Sequence, residues 1–132
     1  MNEGKAIYSI LTENAGVSAI VGNKVYPQIA AQGAAFPFVV YVLQDNSPSD
    51  TKSGPSTLDE VRYDIVAAAE TYADLSSLTE RIRLALDRYT GTISGVVVDS
   101  IQFIDLDVDN DPATETYVSS SEYILRVKRV DI

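Results

Sequence analysis

Asp105, Asp107, Asp109 and Asp111 alternate along the chain. Alternating carboxylates open a calcium-binding loop, whose first, third and fifth positions converge on the ion. The rest of the pattern departs from such a loop. Counting from Asp105, Asn110 stands at the sixth position, where the sharp turn needs glycine, and Thr116 stands at the twelfth, where a bidentate glutamate closes the shell. The aspartates therefore read as a solvated acidic strand face, and no metal or other cofactor is expected. The chain contains neither cysteine nor histidine, which removes thiolate nucleophiles, cysteine-held zinc or iron and the usual general base. Acid–base or nucleophilic chemistry would have to come from carboxylates, Lys, Ser or Tyr. Ser94, near Gly91 and Gly95, does not sit centrally between two glycines as a nucleophile elbow requires, so these are read as turn and strand residues. No catalytic residue is assigned, and the chain is read as a non-enzyme.

Two further features concern contact. Arg126, Lys128 and Arg129 form a basic island in a chain with 10 Lys and Arg against 19 Asp and Glu. Such an island either meets an acidic patch on a neighbouring copy or simply keeps a strand face soluble. Leu84 falls opposite the apolar stripe of a helix, where it marks an interface or is an ordinary exposed leucine. The formal charge of −9 repels phosphate backbones. Specific nucleic-acid binding is not expected, although DNA sliding past such a wall is compatible with it.

The elements that must carry these residues follow from hydrophobic spacing. Ala6, Ile7, Ile10 and Leu11 define a helix over about Glu3–Glu13, and Asn14 with Gly16 stops it. A short apolar turn, Val17 to Val21, ends at Gly22, and Lys24 to Tyr26 is extended up to Pro27. Phe38 to Leu43 is apolar at both parities and predicts a central strand covered on both faces. Asp45 to Thr57, broken by Pro48, Gly54 and Pro55, predicts a long loop. Such a segment has little apolar area to offset its ordering entropy, so it is read as an arm that orders on meeting a partner, with Asp45, Asp50 and Lys52 as candidate contacts, the alternative being a passive solvent loop.

Val61, Tyr63, Ile65 and Ala67 alternate with charged residues, as in a strand with one buried face. Thr71 with Asp74 resembles a capping box, and Leu75, Leu78, Ile82, Ala85, Leu86 and Tyr89 share one face of a long helix ending before Gly91. Val97, Ile101 and Phe103 are odd, whereas Ile104, Leu106 and Val108 are even, so a bulge or bend is expected near Phe103. The last strand turns Tyr123, Leu125 and Val127 inward and Glu122, Arg126 and Lys128 outward.

The expected fold is α+β: an antiparallel sheet of about four strands with helices packed on one face. At 132 residues the chain fits a single domain, 1–132, that folds without disulfides. Neither a signal peptide nor an apolar run long enough to cross a membrane is present.

The opening helix followed by Ala19-Ile20-Val21-Gly22-Asn23-Lys24-Val25-Tyr26-Pro27 resembles the start of the bacteriophage tail-completion proteins. Phe36-Pro37-Phe38-Val39-Val40-Tyr41 and the later Thr71-Tyr72-Ala73, leading into a helix that ends in Leu86-Asp87, are similar to the same family in order and spacing. The likeness is looser over Ile104 to Tyr117, which includes Asp111-Pro112. The resemblance implies a structural protein of the virion, assembled in the host cytoplasm, that closes the end of a tail tube as a six-fold ring. Its implied partners are further copies of itself, the major tail-tube protein and a head or neck connector, with DNA passing through the ring unbound. In such a ring Asp105, Asp107 and Asp109 would face either the channel or the basic strand, Arg126 and Lys128, of the adjacent subunit. The alternatives are a head-side neck connector and, more distantly, a carboxylate-dependent enzyme or small-ligand binding domain on the same architecture.

Overall fold

Asn14 both ends one helix and begins the next. In the computed structural model, which describes residues 3–48, 58–112 and 115–128, its Oδ1 accepts the Val17 N–H at 3.0 Å. That bond satisfies a donor at the start of α2 (Ala15–Val21), just beyond α1 (Glu3–Glu13). The apolar turn expected at Val17–Val21 is therefore a short helix, and Gly22 closes it at φ 63°, a conformation that glycine adopts without steric cost.

A six-stranded sheet carries the rest: β1 (Val25–Pro27), β2 (Phe38–Pro48), β3 (Leu58–Ala69), β4 (Gly91–Ile93), β5 (Val96–Asp111) and β6 (Thr116–Lys128), in the spatial order β1-β2-β3-β6-β5-β4. The sheet is mixed, since β1 runs parallel to β2 while the other pairs are antiparallel. The expectation of about four antiparallel strands is corrected by the two edge strands, each too short to show a periodicity. The α+β class and the helices on one face agree with expectation. Val61, Tyr63, Ile65 and Ala67 of β3 and Tyr123, Leu125 and Val127 of β6 form one buried face. They share a core with Ile7 and Leu11 of α1 and with Leu75, Leu78 and Ile82 of α3 (Tyr72–Leu86), all 2% exposed or less. Each such side chain contributes about 1.5–3 kcal/mol of transfer free energy.

Phe38–Leu43 is not the central strand, because β3 and β6 occupy the middle of the sheet. Its second apolar parity is covered in part by aromatic rings: Phe38 meets Phe36 at 5.2 Å and Tyr26 at 6.2 Å between centroids. A run that is apolar at both parities thus reports partial cover on the far face and no second layer. The loop expected from Asp45 does not begin there. A register shift between Leu43 and Asp45 lets β2 continue, pairing Asp45 to Pro48 with Arg62 to Asp59. Ladder bonds come from the backbone, so polar side chains do not end the strand. Residues 49–57, with Asp50 and Lys52, lie outside the described residues.

Thr71 caps α3 as expected, its Oγ1 accepting the Asp74 N–H at 3.1 Å. The helix stops at Leu86 and not just before Gly91. Asp87 leaves the helix while its Oδ1 accepts the Phe103 N–H at 3.1 Å, and Arg88 reverses the chain at φ 65°. Gly91 instead opens β4, and Ser94 and Gly95, at φ 51° and 77°, form the two-residue turn to β5, the geometry whose twist matches a hairpin. The switch of parity near Phe103 is a register shift between Phe103 and Asp105. A second shift, between Val98 and Ser100, overturns the odd parity assigned to Val97, because Val96 and Val98 are buried and Val97 is exposed.

Candidate interaction surfaces

The two register shifts in β5 decide where its side chains stand. Asp105 pairs with Glu122 and Asp107 with Ser120, which sets both aspartates on the face of the sheet away from the helices. There they meet Asp64, which pairs with Glu122 from the other side. Gln44, Asp64, Asp105, Asp107, Ser120 and Glu122 line an open cleft of about 310 Å³. Partial burial holds the Asp64 carboxyl above its ordinary range, the Glu122 charge pushes the same way, and the Gln44 Nε2 that donates to Asp64 Oδ2 at 2.8 Å pulls it back. Asp109 pairs with Val118, farther along the hairpin.

An extended strand spaces side chains of one face about 6.6 Å apart, so Asp105, Asp107 and Asp109 spread their carboxylates and do not wrap one centre. Among the described residues no group of three or more carboxylates is placed to hold a metal ion.

Arg126 of the basic island lies on the same face and is paired within the chain, as is Arg62 beside it. Arg126 donates to Glu60 at 3.2 Å, and Arg62 donates to Glu122 at 3.4 Å. Lys128, at the end of β6, is exposed and pairs in register with Leu58. Arg129 lies outside the described residues. Arg62, Glu60, Asp64, Glu122 and Gln44 were missed as site residues. Alternation in β3 and β6 already turns most of them outward, but which outward residues meet depends on register between segments some 60 residues apart.

On the helix side, Leu84 projects into solvent at 83% exposure. It borders a hollow of about 490 Å³ with Glu80, Arg83, Asp87 and Arg88. The Arg83 guanidinium lies 3.9 Å above the Phe103 ring, and Phe103 packs edge-on against buried Tyr123 at 5.6 Å. Burial, with the Asp87 charge, pushes the Tyr123 hydroxyl well above its usual range, while Arg83 acts in the opposite sense. Tyr63 is likewise raised, by burial first and then by Glu3 and Tyr41. Both phenols are thereby held neutral, and both side chains are buried in the core.

The arrangement is therefore one of surfaces: an acidic cleft, a cross-strand charge ladder and exposed apolar side chains. Asp45, exposed within β2, stands beside the ladder through its pairing with Arg62. The sequence profile of the family described as tail completion protein gp17 matches residues 5–128. The chain belongs to that family. It is a structural protein of a phage-type tail, and the sheet and helices described above are its version of the tail completion fold. Comparison with curated proteins gives no match. Among matching solved structures is a chain of the virion of a native gene transfer agent particle. It is 15% identical with a TM-score of 0.66, the similarity covering 92% of this chain and 91% of that one. At that identity the likeness concerns the fold.

Proposed function

We propose that this protein caps the end of a phage-type tail tube as a closed homo-oligomeric ring, six-fold in the simplest case. It ends tube growth and provides the joint to the head or neck. The observation that carries this reading is the tail completion match, which spans nearly the whole chain. The mechanism is steric: a ring seated on the last tube ring hides the surface on which another would add. Contacts between two different patches of one chain close into rings when the rotation between copies permits. Asp105, Asp107 and Asp109 face the channel or the adjacent subunit, and DNA passes an acidic wall without being held.

A head-side neck connector uses the same surfaces against a different partner. Electron microscopy of the purified protein with and without tail tubes separates the two. Density confined to tube ends, with tubes of uniform length, supports the cap. Density on portal complexes and none on tubes supports the connector.

A further inference from the structure

The two sides of the sheet are chemically unlike, and both expose large apolar side chains. On one side, β4 pairs only with Val96–Val98 of β5. The next stretch of that edge is occupied by the turn after α3, through the Arg88 N–H donating to Ile101 O at 2.8 Å and the Phe103 N–H donating to Asp87 Oδ1. From Ile104 onward β5 pairs with β6 on its inner side, and among the described residues no strand lies along its outer edge. There Ile104, Leu106 and Val108 are 38%, 44% and 48% exposed. A long edge strand with an apolar row is a ready template for another chain unless charge guards it. The guard is one-sided, because Asp105, Asp107 and Asp109 project between the apolar residues to the opposite face.

On the other side lies the Gln28–Pro37 connection between β1 and β2. No charged residue occurs from Val25 to Gln44. Ile29 stands on this connection at 79% exposure, and Ala31 and Ala35 are exposed nearby. The segment is pinned at its base. Gln28, at φ 63°, donates its N–H to Tyr41 O at 2.9 Å, and its Oε1 accepts the Leu43 N–H at 2.8 Å. An isoleucine held in solvent on an anchored backbone has little ordering entropy left to lose on contact.

We propose that the Ile104–Val108 edge of one copy docks against the Gln28–Pro37 segment of the next, with Leu106 and Val108 packed on Ile29. This rests on the ring reading and names its interface. Charge selects the pairing. At −9 per chain, copies repel unless they meet through uncharged surface. Two β5 edges set against each other would bring two rows of aspartates together, whereas the Gln28–Pro37 segment opposes them with no charge. Because the patches sit at opposite sides of one sheet, the contact is head-to-tail, the kind that propagates around a ring.

The absence of cysteine allows a direct test. Ile29→Cys and Leu106→Cys proteins, mixed under ring-forming conditions and bridged with a short bis-maleimide, should give 29–106 cross-links between copies. The double variant should give a ladder of linked species ending in a covalent ring. Predominant 29–29 or 106–106 links would overturn the pairing. In parallel, Leu106→Asp/Val108→Asp should melt as the parent does and lose the ring in native mass spectrometry, with association weakened at least about tenfold by two carboxylates forced into an apolar contact. Rings that persist in this variant overturn the interface and leave the ring reading standing. A parent protein that forms no ring, free or on tubes, overturns the ring reading and the interface with it.

Discussion

The two halves of β5 each turn a row of apolar side chains to the helix side, and the two rows have different fates. Val96, Val98 and Ile101 are buried in the core, where β4 lies alongside and α1 and α3 pack over the strand. Ile104, Leu106 and Val108 follow in the same strand, past the register shift at Phe103, and remain exposed. Alternation shows which face a side chain takes. It does not show whether anything covers that face within the same chain, and an uncovered alternating stretch is where a contact surface is to be sought.

The comparison breaks if the two halves respond alike to truncation. Ile101→Ala removes a fully buried side chain and is expected to cost about 2–4 kcal/mol in urea denaturation, whereas Leu106→Ala should stay within about 0.5 kcal/mol. Equal costs would mean that the second half is covered in the free protein. A smaller effect tests the cover over the buried half. Thr71→Ala deletes the cap of α3, leaves an N–H unsatisfied and should lower stability by about 1 kcal/mol.

The helix-free face should respond more weakly. A double-mutant cycle on Glu60 and Arg126, a part-exposed pair at 3.2 Å, should give a coupling of about 0.2–1 kcal/mol that shrinks as salt is added. A salt-independent coupling would point to desolvation of the pair in an assembly. The smallest effect concerns Asp64, whose carboxyl is held above its ordinary range. With the folded pKa raised above the unfolded value, the folded state binds more protons between the two. Stability therefore falls as pH rises through that window, and the penalty is fully present at neutral pH. Asp64→Asn should be neutral to slightly stabilising at pH 7 relative to the parent, and the difference should vanish below about pH 4, where the unfolded carboxyl is protonated too. A variant less stable than the parent at pH 7 would show that the Asp64 charge is favourably paired.

Local signals were legible wherever one short segment carries the whole cause. Ala6, Ile7, Ile10 and Leu11 mark α1 with its observed bounds, Thr71 caps α3 through a residue three positions on, and the parity change at Phe103 is a bulge. The end of α3 was less legible, since Asp87 is drawn out of the helix by the Phe103 N–H, 16 residues away. Of the candidate site residues, Asp105 and Asp107 were visible as an alternating pair, but their neighbours Asp64 and Glu122 were not.

Composition and periodicity by themselves determined the charge, the lack of histidine and cysteine, the two longer helices and the inward faces of β3 and β6, because these depend on residue type and spacing alone. Register, strand order and cover were decided only by the tertiary structure. Backbone ladders accept almost any side chain, so nothing in Arg126 specifies Glu60 as its partner, and nothing in Leu106 states that no helix will reach it. Those outcomes arise when distant segments compete for one core. The large apolar side chains left outside it include Ile29 at one side of the sheet and Leu106 and Val108 at the other, the residues on which the proposed contact between copies rests.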